Sequence, residues 1–281
     1  MGDAASVGNQ SECLAMWNEI LLCTTALLAG MVNSVAGGGT LLTFPALMAA
    51  LAASPSSAVL AKGVGVLANG TSTVALLPGS AVAAWEYRGE FRKAGRWFLL
   101  LLAPSVVGSL TGVLLVTRLP KETFEALVPW LILFAAILFA LQPRITRWIK
   151  VGVPHERPTW PRLAGILAFQ LLVALYGGYF GAGIGILMLS ALALMGLADI
   201  HVMNGVKNVL ATSINAVAAA VFVIGNVVDW RLCLPMMAAT IVGGFLGSRI
   251  AQRSNRAIVR RVVVAIGFSL AAYYFYRQFR G

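Results

Sequence analysis

The sequence predicts an all-α, polytopic membrane protein of two inverted repeats. Each repeat has about five helical segments, one of them broken or short. Three observations predict this. Hydrophobic residues make up 59% of the chain and charged residues only 11%, against about 25% charged in soluble domains. Apolar runs follow the order long, short, long, long, long, twice over. Basic residues gather in loops that this order places on one side of a bilayer, as Lys and Arg do on the cytoplasmic side.

A spanning helix needs about 20 apolar residues. Residues 17–35 reach that length and 40–52 do not; 57–77, 97–116 and 123–141 do. After a hydrophilic stretch, 163–178 spans with a small extension, 184–197 is short, and 202–227, 231–250 and 257–276 span. The chain thus divides into an extracytoplasmic tail (1–16), a first membrane repeat (17–141), a cytoplasmic linker (142–162) and a second, inverted repeat (163–281). The tail has no Lys or Arg, so the first apolar run is not preceded by the basic region of a signal peptide.

The repetition extends to single residues. Lys62 stands 23 residues before Trp85, and Lys207 stands 23 before Trp230. "AGGG" begins 26 residues before Lys62, and "AGIG" begins 25 before Lys207. Gly108/Gly112 and Gly243/Gly247 recur as small pairs four apart, a helix-packing pattern. The acidic tail, residues 118–125 and the turn 229–231 fall outside; 88–96, 142–162 and 249–261 fall inside. The repeats therefore run in opposite directions, although Arg277 and Arg280 end outside against the rule. Secondary transporters commonly have this architecture.

Two polar breaks interrupt the oil. The first holds Asn33, Ser34, Gly37, Gly38, Gly39 and Thr40; the second, "YGGYFGAGIG", holds Tyr179, Gly181, Gly183 and Gly185. Irregular backbone at membrane depth survives only inside protein or beside a wet cavity. A short helix follows each break, and its first amides carry partial positive charge. The breaks are expected to meet near the midplane as halves of one substrate site. Close helix packing is the competing reading.

Every acidic residue falls in a tail, loop or helix end; the charges within spans are Lys62 and Lys207. A buried cation needs a cavity or partner, and an anionic ligand is the simplest partner. Snorkelling to an interface is the alternative for both lysines. Asn69 lies beyond Lys62, and Asn208, Thr212 and Asn215 share a helical face beside Lys207. These groups can hydrogen-bond to oxyanion oxygens.

Other classes are excluded. Cys13, Cys23 and Cys233 are scattered, which gives no disulfide framework and no metal cluster. CxxC, HExxH, a nucleophile elbow and a Walker loop are absent, so no enzyme and no cofactor is expected. Nucleic acid is not expected either, because the basic residues sit in short loops between apolar runs. The lack of central carboxylates argues against a sodium/proton antiporter.

The stretch "AGMVNSVAGGGTLLTFPAL" resembles the first-repeat signature of the sulfite exporter TauE/SafE family, also called the toluene sulfonate uptake permease family. "AKGVGVLANGTS" is similar to the segment that follows it, and "GGYFGAGIGILML" with "NGVKNVLATSINAVAAAVFVIGNVVDW" to the second repeat. The resemblance covers residues 17–276 and implies a multi-pass permease of the bacterial inner membrane that moves a small sulfur-containing oxyanion such as sulfite or an organosulfonate, often outward. It implies that Asn33, Gly37–Gly39, Lys62, Gly181, Gly183 and Lys207 line the path. Ala61 stands where a polar residue is expected before the first lysine. The expected function is a secondary carrier working by alternating access; a channel-like anion pathway and a non-transporting scaffold are the alternatives. The partners are the anion and membrane lipid. A homo-oligomer is left open, and a proton is favoured over sodium as coupling ion.

Overall fold

The computed structural model describes residues 19–34, 37–53, 57–91, 96–151, 159–197, 199–250 and 256–280, and they are helical with short turns. The tail 1–16 and linker residues 152–158, His155 among them, lie outside the described residues. The helices are α1 (Glu19–Ser34), α2 (Thr40–Ala53), α3 (Ser57–Lys62), α4 (Val64–Glu86), α5 (Arg88–Phe91), α6 (Arg96–Arg118), α7 (Lys121–Val151), α8 (Trp160–Tyr179), α9 (Ile184–Leu194), α10 (Ile200–Ile224), α11 (Trp230–Ile250) and α12 (Arg256–Arg280). Seven of them are long and apolar enough to cross a membrane, whereas α1, α2 and α9 are shorter apolar helices. The chain is a multi-pass membrane protein.

Two expectations are corrected. The run 57–77 is not one helix: it divides at Gly63, whose φ of +83° is a left-handed conformation, and the spanning helix runs on to Glu86. The sequence marks this spot only as loosened, by Gly63 and Gly65. The linker is also shorter than its polarity suggests, because α7 continues from the apolar run through Gln142 and Pro143 to Val151. Its 31 residues make a rod of about 46 Å.

Local chemistry sets several starts. Asp199 caps α10 by accepting from His201 N at 2.8 Å, and Asp229 caps α11 by accepting from Arg231 N at 3.1 Å. Pro161 stands in the first turn of α8, where its missing amide costs nothing.

Small residues decide which helices touch. Leu101 and Ile166 share one apolar cluster, Gln170 Nε2 donates to Ser105 Oγ at 2.9 Å, and Gly112 faces Leu175. α6 and α8 therefore run parallel. α1 and α11 do the same, with Gly243 against Leu27 and Gly247 against Met31. α4 and α11 are also parallel: Asp229 N donates to Thr71 Oγ1 at 2.9 Å, and Thr240 Oγ1 donates to Ala75 O at 2.6 Å. α4 and α10 are antiparallel, since Gly70 meets Phe222 while Ala84 and Val209 line one cavity. α7 and α12 are antiparallel, with Trp130 against Phe275 and Ala136 against Gly267. Such interfaces rest on close backbone approach and hydroxyl bonds.

Gly112→Ala therefore destabilises the protein by about 1–3 kcal/mol, because a Cβ there runs into Leu175 O. Gly165→Ala, with nothing within 4 Å, is neutral or stabilises by up to about 1 kcal/mol. Thermal melts of the two variants in one detergent check the contrast.

These pairings bring Arg88, Arg144, Arg147, Arg162, Arg249, Arg260 and Arg261 to one end of the helices. Glu19, Lys62, Arg118, Lys121, Glu125, Arg231 and Arg277 occupy the other.

Candidate functional site

The two glycine breaks cross in the interior. α1 ends with Gly37 N donating to Asn33 O at 3.0 Å, and the chain turns at Gly37, whose φ is +72°. α2 then starts with Leu41 N on Gly38 O and Thr43 N on Gly39 O. α8 ends as Phe180 N and Gly181 N both donate to Tyr176 O, and Tyr176 Oη closes the turn by donating to Ala182 O at 2.8 Å. Gly183, at φ +79°, then begins α9. Only glycine takes these left-handed conformations without strain.

At the crossing, Gly183 N donates to Gly37 O at 3.0 Å. The backbones are so close that a Cβ on Gly37 would lie 2.9 Å from Gly185 Cα. The Phe139 ring lies across Gly38 and reaches towards Gly183. Gly37, Gly38, Gly39, Gly183 and Gly185 are all buried, so the crossing is closed to solvent in this conformation.

A ring of polar contacts surrounds it. Asn33 Nδ2 donates to Ser80 Oγ at 2.7 Å, Thr43 and Ser72 share a hydroxyl bond of 2.6 Å, and Asn69 Nδ2 donates to Tyr179 O at 2.9 Å. Ser34 turns back on Met31 O, and Thr40 is buried opposite Gly181. Asn69 Oδ1, Tyr179 Oη and Asn208 Nδ2 are buried without a hydrogen-bond partner in the protein. An unmet buried polar group costs about 1–3 kcal/mol.

The structure separates the two lysines. Lys207 is fully buried at 0% exposure, whereas Lys62 is exposed as the last residue of α3. Because α4 and α10 are antiparallel, Lys62 stands at the end opposite the basic clusters and Lys207 lies towards the basic end. The expectation of a paired ammonium site is corrected accordingly. Asn208 is buried beside Lys207, Thr212 Oγ1 donates to Asn208 O at 2.8 Å, and Asn215 is half-buried one turn on. A cavity of about 380 Å³ between α4 and α10 is lined by Trp85, Arg88, Thr212 and Ser213. Arg88 stacks over Trp85 at its mouth. Among the described residues, no group of three His, Cys, Asp or Glu side chains could hold a metal ion.

Sequence reasoning missed Thr43, Ser80, Tyr176 and Phe139. Thr43 and Tyr176 stand inside the two break motifs, where a polar residue beside a glycine turn is a usable signal. Ser80 and Phe139 come from other helices, and nothing in their neighbourhoods points to the crossing.

The model of the family described as "Sulfite exporter TauE/SafE" matches residues 22–274. "Probable membrane transporter protein" of Haemophilus influenzae is 27% identical over 268 residues, covering 92% of this chain and 94% of that protein. "Probable membrane transporter protein ORF9" of Sinorhizobium sp is 29% identical, with 89% of each chain covered. "Probable membrane transporter protein YfcA" of Escherichia coli K12 is 27% identical, covering 90% of this chain and 87% of that protein.

Proposed function

Because the chain belongs to the sulfite exporter TauE/SafE family and is a membrane transporter, we propose that it carries a small sulfur-containing oxyanion, such as sulfite or an organosulfonate, outward across a bacterial inner membrane. The observation that carries this reading is the crossing itself: two left-handed glycine turns joined by Gly183 N and Gly37 O. The first amides of α2 and α9 attract negative charge there. Asn208 Nδ2 and Tyr179 Oη are buried donors without a protein acceptor. Lys207 supplies a buried cation towards the end where the basic clusters gather, which is the cytoplasmic end by the charge rule.

The helix pairings support inverted repeats and alternating access. Matching α1 with α8, α2 with α9, α4 with α10, α6 with α11 and α7 with α12 sends the parallel pair α6–α8 onto α11–α1. The antiparallel pairs α4–α10 and α7–α12 map onto themselves. Rocking one repeat against the other opens the closed crossing to each side in turn. A proton is the favoured coupling ion.

Flux of sulfite in proteoliposomes tests the reading. Saturable uptake and counterflow are expected. Unsaturable conductance would instead indicate a pore, and no anion-dependent flux across a panel of sulfur and other oxyanions would overturn the assignment.

A further inference from the structure

A cavity of about 710 Å³ opens on the flank of the protein between α2, α7 and α12. Its floor is apolar, formed by Pro45, Met48, Val128 and Leu270. The floor runs along α2 from Ala52 towards Pro45, close to the first glycine break. At the end opposite the basic clusters its rim carries Glu125 from α7 and Arg277 from α12. Both are exposed, and among the described residues neither is in an ion pair. The Glu125 carboxylate rests against Gly63, with the Lys121 stem on the same glycine. α12 is the least covered of the spanning helices, with 17% of its apolar window buried, so this flank faces hydrocarbon.

We infer that this groove is a binding site for a phospholipid with a zwitterionic, primary-amine headgroup, phosphatidylethanolamine being the simplest. The geometry asks for an occupant that is apolar along most of its length and carries both signs of charge at one end. A headgroup of one sign would pair with Arg277 or Glu125 and be repelled by the other. A phosphate beside Arg277 and an ammonium beside Glu125 satisfies both at once, and charge-assisted hydrogen bonds favour an ammonium that can donate. A choline headgroup lacks that donor, and a glycerol headgroup lacks the cation. The acyl chain lies over Met48 and Leu270 and fills the groove, stiffening the helix that begins at the crossing. This site depends on the membrane fold alone and not on the transported anion.

The test uses the full chain, delipidated in detergent, with phosphatidylethanolamine, phosphatidylcholine and phosphatidylglycerol of identical acyl chains added in turn. Melting temperature and native mass spectrometry are the readouts. Phosphatidylethanolamine should raise the melting temperature most and bind about tenfold tighter than the other two, as expected for one charge-assisted bond. Glu125→Gln should erase its advantage over phosphatidylcholine, and Arg277→Gln should weaken all three. Ala49→Trp, which fills the groove and leaves the rim intact, should abolish the shift. Equal shifts by the three lipids overturn the proposal, as does a preference that survives Glu125→Gln. A concentration-dependent dimer that Ala49→Trp disrupts, with no lipid preference, would assign the groove to a second copy and also overturn it.

Discussion

Gly37→Ala is expected to destabilise the folded protein by about 2–5 kcal/mol and to silence transport. The figure has two parts. A left-handed conformation at a residue with a Cβ costs about 1–2 kcal/mol, and Gly37 has φ +72°. Overpacking costs a further 1–3 kcal/mol or so, since the new methyl group would lie 2.9 Å from both Gly185 N and Cα. Neither atom can move aside without shifting the second break. Gly183→Ala is the matched control. Its φ is +79°, but a Cβ there finds its nearest atoms at 3.6 Å, so only the strain of about 1–2 kcal/mol applies. Unfolding of both variants in one detergent measures the difference. Equal losses would mean that the breaks do not press together as the structure has them.

Lys207→Met should lower oxyanion flux by about 100-fold, while Lys62→Met should leave it within about a factor of two. A hydrogen bond to a charged group contributes about 1.5–3 kcal/mol, and each 1.4 kcal/mol or so is tenfold. Lys207 is fully enclosed and engaged within the protein, so Met keeps much of its volume and removes its charge. Lys62 is exposed at the far end of α4 and α10, where loss of a solvated charge changes little. Initial rates in proteoliposomes, normalised to folded protein, separate the two. Equal, large losses would restore the paired-lysine reading that the spacing to Trp85 and Trp230 suggests.

That contrast shows where sequence reasoning holds. Hydropathy located the apolar helices because length and composition are local properties. The glycine breaks were legible for the same reason: "AGGG" and "AGIG" have no place in a continuous spanning helix, and both short helices begin where expected, at Thr40 and Ile184. The depth of Lys62 depends on the break at Gly63, and that glycine packs against Lys121 and Glu125 of a helix about sixty residues on, a neighbourhood that the local sequence does not report. The bonds from Asn33 to Ser80 and from Asn69 to Tyr179 join residues 47 and 110 apart. Their partners follow from how the helices pack, which periodicity does not report.

The length of α7 has a mechanical result. Phe139 rests on Gly38, and Val151 ends the helix 12 residues later, about 18 Å along the axis. With Phe139 as fulcrum, a tilt of about 10° swings that tip by about 3 Å. A tilt that leaves the glycine contact in place is thus read at the far tip, where a fluorescent label can follow it.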